Sequence, residues 1–300
     1  MDVEIVKKDG SSYRLSDYGV VYDFVVNSIT IEGYAEKMEG RSGQIDYGAD
    51  YGVRRITIPM KFKHYDMHDY AHLRDVIYEI LTDTDSYYIR EMRRPKRLEY
   101  EFVDFGQVPR YKAQTRNRYV GGKQYLVRLV SEITPEQIYD GGEIEIEFET
   151  TELPFAETIY TTMDIDSDGL SDIAEKYGLS DNINTNFTAY NHTSTSFTIW
   201  NGSNVTITPE EVPLIINFDN VSTSGGAEVK NVTTNEEFIY NGELSGENII
   251  IDGVQVTNGY VNRLRETNRE FISLAPGKNE IELKNVSFDE LSFDFKFYYK

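Results

Sequence analysis

Residues 143–150 alternate strictly, with Ile144, Ile146 and Phe148 on one side and Glu143, Glu145, Glu147 and Glu149 on the other. A period of two predicts a strand with one buried face. Its glutamate face must be solvated or meet cations. Residues 55–62 alternate in the same way, and 20–26 and 124–130 are rich in β-branched and aromatic residues, which favours strands. Strands are also expected at 86–90 and 98–102. Between 20–26 and 55–62 lies a glycine-punctuated stretch, 39–48, within a long loop expected over 33–54. One helix is predicted at about 66–82: Tyr70, Leu73, Ile77, Ile80 and Leu81 fall near helical spacing, and Asp66 or Asp69 can cap it.

The pattern changes after Leu153-Pro154-Phe155. An aspartate-rich turn follows, then a short helix at about 172–179 that Gly178 should stop, then Asn-, Thr- and Ser-rich residues. Residues 156–186 therefore read as a linker between a domain at 1–155 and another at 187–300. The second domain predicts short strands throughout, at 197–200, 214–218, 237–240, 248–251, 271–274, 279–283 and 291–299. Turn pairs such as Asn201-Gly202, Asn241-Gly242 and Asn258-Gly259 separate them. Regular short strands between such turns indicate a β-sandwich or jelly roll.

Charge adds detail. The chain has 300 residues, no cysteine and a formal net charge of −21. Without cysteine there is no disulfide, Cys-zinc site or thiol nucleophile. No apolar run reaches the ~20 residues of a membrane-spanning helix, and the charged N-terminus lacks the apolar core of a signal peptide. Strong acidity argues against general binding to nucleic acid or anionic membrane. Yet residues 90–128 hold 11 Lys/Arg against four acids, a net +7, just before the glutamate-rich 140–157. These segments suit electrostatic pairing within or between chains; ordinary solvated strand faces explain them about as well.

Residues 164–175 match the EF-hand loop: Asp164, Asp166 and Asp168 at positions 1, 3 and 5, Gly169 at 6, Asp172 at 9 and Glu175 at 12. Alternate carboxylates converge when the backbone wraps an ion, the Leu170 carbonyl adds a ligand, and Glu175 closes the shell. Ser171 departs from the usual aliphatic residue, and the chain has no second loop, so the expectation is an isolated structural Ca²⁺ site. The simpler reading is an acidic turn that caps the helix at 172. Catalytic readings do not assemble. His64, His68 and His72 share a helical spacing, but the zincin glutamate is absent, and they read as surface residues. No nucleophile elbow, P-loop or dinucleotide fingerprint occurs. Trp200, the single tryptophan, sits in a strand-like run and reads as core.

The order of features resembles the siphophage distal tail protein (Dit) family over nearly the whole chain. The likeness rests on Gly40-Arg41-Ser42-Gly43, Asp46-Tyr47-Gly48 and Tyr51-Gly52-Val53-Arg54-Arg55-Ile56-Thr57-Ile58. It continues in Glu152-Leu153-Pro154-Phe155-Ala156 and in the span from Phe197-Thr198-Ile199-Trp200 to Leu274-Ala275-Pro276-Gly277-Lys278-Asn279. The resemblance implies a mainly β protein: a sandwich- or barrel-like N-terminal ring domain with one helix, and a C-terminal galectin-like jelly-roll sandwich. It implies a non-enzymatic virion part at the distal end of the tail, made in the host cytoplasm. Six copies would form a homohexameric ring between the tail tube protein and the tail-associated lysin or tip protein. The outer sandwiches would hold peripheral or receptor-binding baseplate proteins, DNA would pass through the channel without specific binding, and no membrane would be entered. The alternative is a carbohydrate-binding module that adsorbs to host cell-wall glycans.

Overall fold

The computed structural model describes residues 1–63, 67–93, 121–138 and 141–300. The chain divides into two units, Met1–Ala156 and Glu157–Lys300.

In the first unit the strands are β1 (Asp2–Val6), β2 (Ser12–Arg14), β3 (Val20–Val21), β4 (Val25–Val26), β5 (Ile31–Glu36), β6 (Ile45–Tyr51) and β7 (Arg55–Lys63). Helix α1 (Met67–Leu81) follows, then β8 (Tyr87–Met92), β9 (Lys123–Leu129), β10 (Glu136–Ile138) and β11 (Gly141–Thr150). The main sheet runs β2-β1-β8-β9-β11-β7-β3, with β4 also on β7 and β10 on β11. The β7–β11 pair is its longest ladder, from Gly141 opposite Lys63 to Glu149 opposite Arg55. That register sets Ile144, Ile146 and Phe148 across from Met60, Ile58 and Ile56, and all six are buried. Each such side chain contributes on the order of 1.5–3 kcal/mol by leaving water. Helix α1 buries Ile77, Ile80 and Leu81, and Tyr70 stacks on Phe62 with ring centroids 5.4 Å apart. Its end is tied down by Tyr87, whose hydroxyl donates to the Leu81 carbonyl at 2.8 Å.

Two expectations change here. The single strand expected at 20–26 is two short strands, because the chain leaves the ladder at Asp23, whose carboxylate accepts the Phe24 N–H at 2.9 Å. The loop expected over 33–54 is a hairpin: β5 and β6 pair antiparallel from Ile31 opposite Tyr51 to Glu36 opposite Ile45. The strand expected at 98–102 lies outside the described residues.

The second unit contains β12 (Ala156–Thr158) at its boundary, α2 (Thr162–Lys176), β13 (Asn191–His192), β14 (Ser196–Asn201), β15 (Leu214–Thr223), β16 (Ala227–Asn231) and β17 (Glu236–Tyr240). They are followed by β18 (Leu244–Asp252), β19 (Gln255–Asn258), β20 (Val261–Asn262), β21 (Gly277–Lys284), β22 (Glu290–Phe295) and β23 (Tyr298–Tyr299). One sheet runs β13-β22-β15-β18-β19-β20 and the other β14-β21-β16-β17. Their apolar faces meet, as at a small gap lined by Leu214, Ile216 and Ile251 from the first sheet and Val229 and Phe238 from the second. The fold is mainly β, as expected.

The stretch expected as a linker is packed into this unit. Thr162 and Ile165 are buried, and the Thr162 hydroxyl donates to the Phe293 carbonyl at 2.7 Å. Trp200 departs from its reading as core. In β14 the inward residue is its neighbour Ile199, fully buried; the indole lies on the other face, against Phe187 at 5.9 Å with rings nearly parallel. Residues 271–274 form no strand beyond an isolated bridge from Ile207 to Leu274. Their polar demand is met by a side chain: the Glu236 carboxylate accepts both the Ser273 N–H and hydroxyl, at 2.7 and 2.6 Å.

Candidate functional site

Three regions bear the candidate residues. The first is the β5–β6 hairpin. It is a two-stranded sheet by itself, and all of β5 is exposed. Ile31 is 71% exposed and Tyr47 62%, and Tyr34, Met38 and Tyr51 also stand out to solvent. A hairpin with no third strand is at best marginally stable in water. Its local support is mostly polar: the Tyr47 hydroxyl donates to Glu36 at 3.2 Å, and Asp46 accepts the Gly48 N–H at 2.9 Å, while Tyr51 at its base meets Phe155 edge-on at 5.7 Å. A hydrogen bond to Asp50 pushes the Tyr34 phenol above its ordinary value. Uncovered apolar side chains at this density make the ribbon a candidate contact surface.

The second region is the outer face of β11. The β7–β11 register places Glu143 across from Lys61, Glu145 from Pro59, Glu147 from Thr57 and Glu149 from Arg55. On the other side, Arg128 of β9 is opposite Glu149. Cations therefore meet the glutamate ladder at its two ends, and its middle faces uncharged residues. The Arg55–Glu149 pair, 3.6 Å apart and well exposed, contributes little to stability. Of the basic segment, residues 94–120 lie outside the described residues. Arg90 is committed within the chain, donating to Glu4 at 3.1 Å and to Gln124 at 3.0 Å.

The third region is the acidic stretch. It forms helix α2, longer and earlier than the helix expected at 172–179. Thr161 caps it and exchanges hydrogen bonds with Asp164 in a capping box. Gly169, at φ +79°, breaks the helical path between its two halves. Residues 164–168 are thus helical, and each side chain is turned by about 100° from the last. Asp164 and Asp168 share one side of the helix and Asp166 the opposite one. Asp164 accepts the Thr161 N–H at 2.8 Å. Asp166 accepts the Tyr190 N–H at 3.1 Å and the Asn191 amide at 2.6 Å. Asp172 and Glu175 are exposed, and Leu170 lies just past the break. Among the described residues no three acidic or histidine side chains gather as metal ligands. The six residues expected to hold Ca²⁺ therefore do not form the ligand shell in this backbone, because an EF-hand loop must wrap where this chain is helical. Of the spaced histidines, His72 is exposed; His64 and the His68 side chain lie outside the described residues.

Residues missed by the sequence reading include Glu236 and the paired asparagines Asn231 and Asn279. Asn279 is fully buried, accepts the Ala275 N–H at 2.9 Å and the Asn231 amide at 3.1 Å, and donates to the Ala275 carbonyl at 2.8 Å. Its bonds to Ala275 and Gly277 close the local turn, whereas the Asn231 amide reaches it from β16, a pairing that no local pattern marks.

Comparison with known proteins identifies the frame that carries these regions. Residues 8–150 match the family model of the phage tail protein RIFT-related domain. No curated protein matches the chain. Among solved structures, the Dit (gp 19.1) protein of SPP1, described as a paradigm of the hub adsorption apparatus in Gram-positive-infecting phages, matches with a TM-score of 0.61 at 12% identity, covering 98% of this chain and 99% of that one. Chains of the phage p2 baseplate in its activated conformation match more distantly. The strontium form gives 0.41 at 11% identity over 98% and 97% of the two chains. The calcium form gives 0.39 at 11% over 99% and 97%. Residues 8–150 thus match the phage tail protein RIFT-related domain, and from end to end the chain has the fold of SPP1 Dit.

Proposed function

We propose that this chain is the non-enzymatic structural hub at the distal end of a siphophage tail. The observation that carries the reading is the end-to-end fold correspondence with SPP1 Dit. Six copies close into a ring through their N-terminal units, with the tail tube protein on one side and the tail-associated lysin or tip protein on the other. The second unit docks peripheral or receptor-binding proteins. The exposed β5–β6 hairpin supports the reading, because a closed ring joins two different faces of each copy. A neighbouring copy covers Ile31, Tyr34 and Tyr47. The net charge of −21 helps DNA pass through the channel without adhering. Electron microscopy and native mass spectrometry of the full chain test this. A six-fold ring at six times 34.6 kDa is expected; a monomer at every concentration overturns it.

The calcium reading of Asp164, Asp166, Asp168, Leu170, Asp172 and Glu175 is a separate question. It requires the turn before Gly169 to unwind and the capping box to open. The expected result of Ca²⁺ calorimetry on the full chain is no heat at millimolar ion. Binding that is lost in Asp168→Asn would show that the loop refolds around the ion.

A further inference from the structure

Asparagine followed by glycine is among the least durable pairs in a polypeptide. The glycine amide nitrogen attacks the asparagine side-chain carbonyl carbon and ammonia leaves. The succinimide ring so formed takes up water and opens to aspartate or isoaspartate. Glycine favours the attack because no Cβ hinders the turn that brings its nitrogen onto that carbon. The chain has three such pairs, Asn201-Gly202, Asn241-Gly242 and Asn258-Gly259, and four Asp-Gly pairs, at Asp9, Asp140, Asp168 and Asp252. All three asparagines lie in the second unit, yet the fold gives them different surroundings.

Asn201 is 1% exposed. Its amide donates to the Val205 carbonyl at 3.2 Å and to the Leu274 carbonyl at 2.9 Å, and its side-chain oxygen accepts the Ser203 N–H at 2.9 Å. Both ends of the carboxamide are held, so its carbon cannot turn toward Gly202. Asn258 is half-buried, and its amide donates to Glu247 at 2.5 Å. Asn241 differs from both. It is exposed, in the connection between β17 and β18, and among the described residues no hydrogen bond holds its side chain. Its own N–H donates to the Glu266 carbonyl at 2.6 Å. The Asn241–Gly242 peptide that follows is bound at neither its C=O nor its N–H among the described residues. The Asp-Gly pairs are slower on chemical grounds, since a carboxylate is a poorer electrophile than an amide. Gly10 and Gly253 also commit their N–H groups, to the Lys7 and Leu214 carbonyls, each at 3.0 Å.

We infer that Asn241 is a site of spontaneous deamidation, the one Asn-Gly pair that the fold leaves free to react. The modification falls at a crowded place. A Cβ on Gly242 would lie 2.5 Å from the Glu266 carboxylate and 2.9 Å from the Tyr240 ring. Aspartate at 241 adds a carboxylate next to this glycine, with Glu243 two residues on. Like charges so close repel one another. Isoaspartate also carries the main chain through the side-chain carbon. It lengthens by one bond the exit of β17, where Tyr240 pairs with Ala227 and bridges to Thr267. Either product loosens this edge of the smaller sheet. The reaction needs only water and runs in one direction, so the converted fraction records the age of the molecule. None of this rests on the tail-hub reading.

Peptide mapping by tandem mass spectrometry tests it on the full chain held at mildly alkaline pH, folded and in guanidinium chloride. Electron-transfer fragmentation tells aspartate from isoaspartate. In denaturant the three asparagines should convert at similar rates. In the folded chain Asn241 should keep nearly that rate. Asn258 should slow at least about tenfold, the rate equivalent of one hydrogen bond that must first be broken, and Asn201 should not convert. Asn241→Gln, at an exposed position, should remove the early product. Asn241→Asp should speed hydrogen exchange at residues 240–241 and 267–268 and leave Ile249 and Ile251 unchanged. Conversion that begins at Asn201 or Asn258 overturns the proposal, as does an Asn241 rate that folding suppresses as strongly as theirs. Unchanged exchange in Asn241→Asp overturns the loosening.

Discussion

Two antiparallel pairs in the N-terminal unit have similar lengths and opposite fates. In β7–β11 every second side chain is apolar, and all of those in the ladder from Ile56 to Met60 are buried against Ile144, Ile146 and Phe148. In β5–β6 the apolar residues Ile31, Tyr34, Tyr47 and Tyr51 are just as evident, yet they remain exposed. The difference is not β-propensity. The first pair has strand neighbours on both sides, and Phe62 at the end of β7 takes Tyr70 of α1, whereas the second pair has no third strand among the described residues. A strand's stability within the chain comes from what lies on its face. The hairpin's apolar side chains are therefore available to stabilise an assembly.

The largest effect should come from breaking the buried pair. Phe148→Ala removes a fully buried ring that meets Tyr87 edge-on at 6.1 Å. It should cost about 3–5 kcal/mol, read as a lowered urea midpoint for the N-terminal unit.

A smaller effect extends the comparison to a half-buried group in the second unit. The His192 ring stacks on Phe197 at 4.0 Å, and its Nε2 is buried without a partner. Burial holds its pKa below the ordinary value of 6.5. Below pH 6.5 the unfolded chain takes up a proton that the folded chain refuses, so stability should fall as pH drops through that value. His192→Phe should flatten this slope in thermal melts between pH 7 and pH 5.

The smallest stability effect belongs to the hairpin, and it sharpens the contrast most. The double variant Ile31→Asp with Tyr47→Asp should change the urea midpoint by less than about 0.5 kcal/mol equivalent, as surface substitutions do. In native mass spectrometry the same variant should lose its oligomer. A large drop in monomer stability would mean that the hairpin is covered within its own chain.

Strands β7, β9, β11, β14, β15, β17, β18 and β21 were legible in the sequence because alternation or a β-branched run reports a pleat with one buried face. Helix α1 was legible from the spacing of Ile77, Ile80 and Leu81. Strand β16, with Val229 as its one large apolar residue, carries too weak a pattern to read. Residues 271–274 carried a strand pattern and formed only a bridge at Leu274: Glu236 accepts the Ser273 N–H and the Asn231 amide donates to the Ser273 carbonyl, where a neighbouring strand would have paired. The EF-hand spacing was equally legible, but spacing in the chain is not convergence in space. Thr161 and Asp164 close a capping box, and the helix they start turns Asp166 away toward Asn191.

The sequence by itself determined most of the strands with one apolar face, the site of the main helix, the change of character near residue 155 and the uneven spread of charge. These are properties of neighbouring residues, and period and capping act over a few positions. Tertiary structure alone decided which strands pair, that the hairpin stands uncovered, that the supposed linker is part of the second unit, and that Asn201 and Asn258 are held by hydrogen bonds where Asn241 is not. Such features depend on partners far apart in the chain. Hydrogen-bonding demand and apolar area can be met by many alternative partners, and only packing the whole chain selects among them.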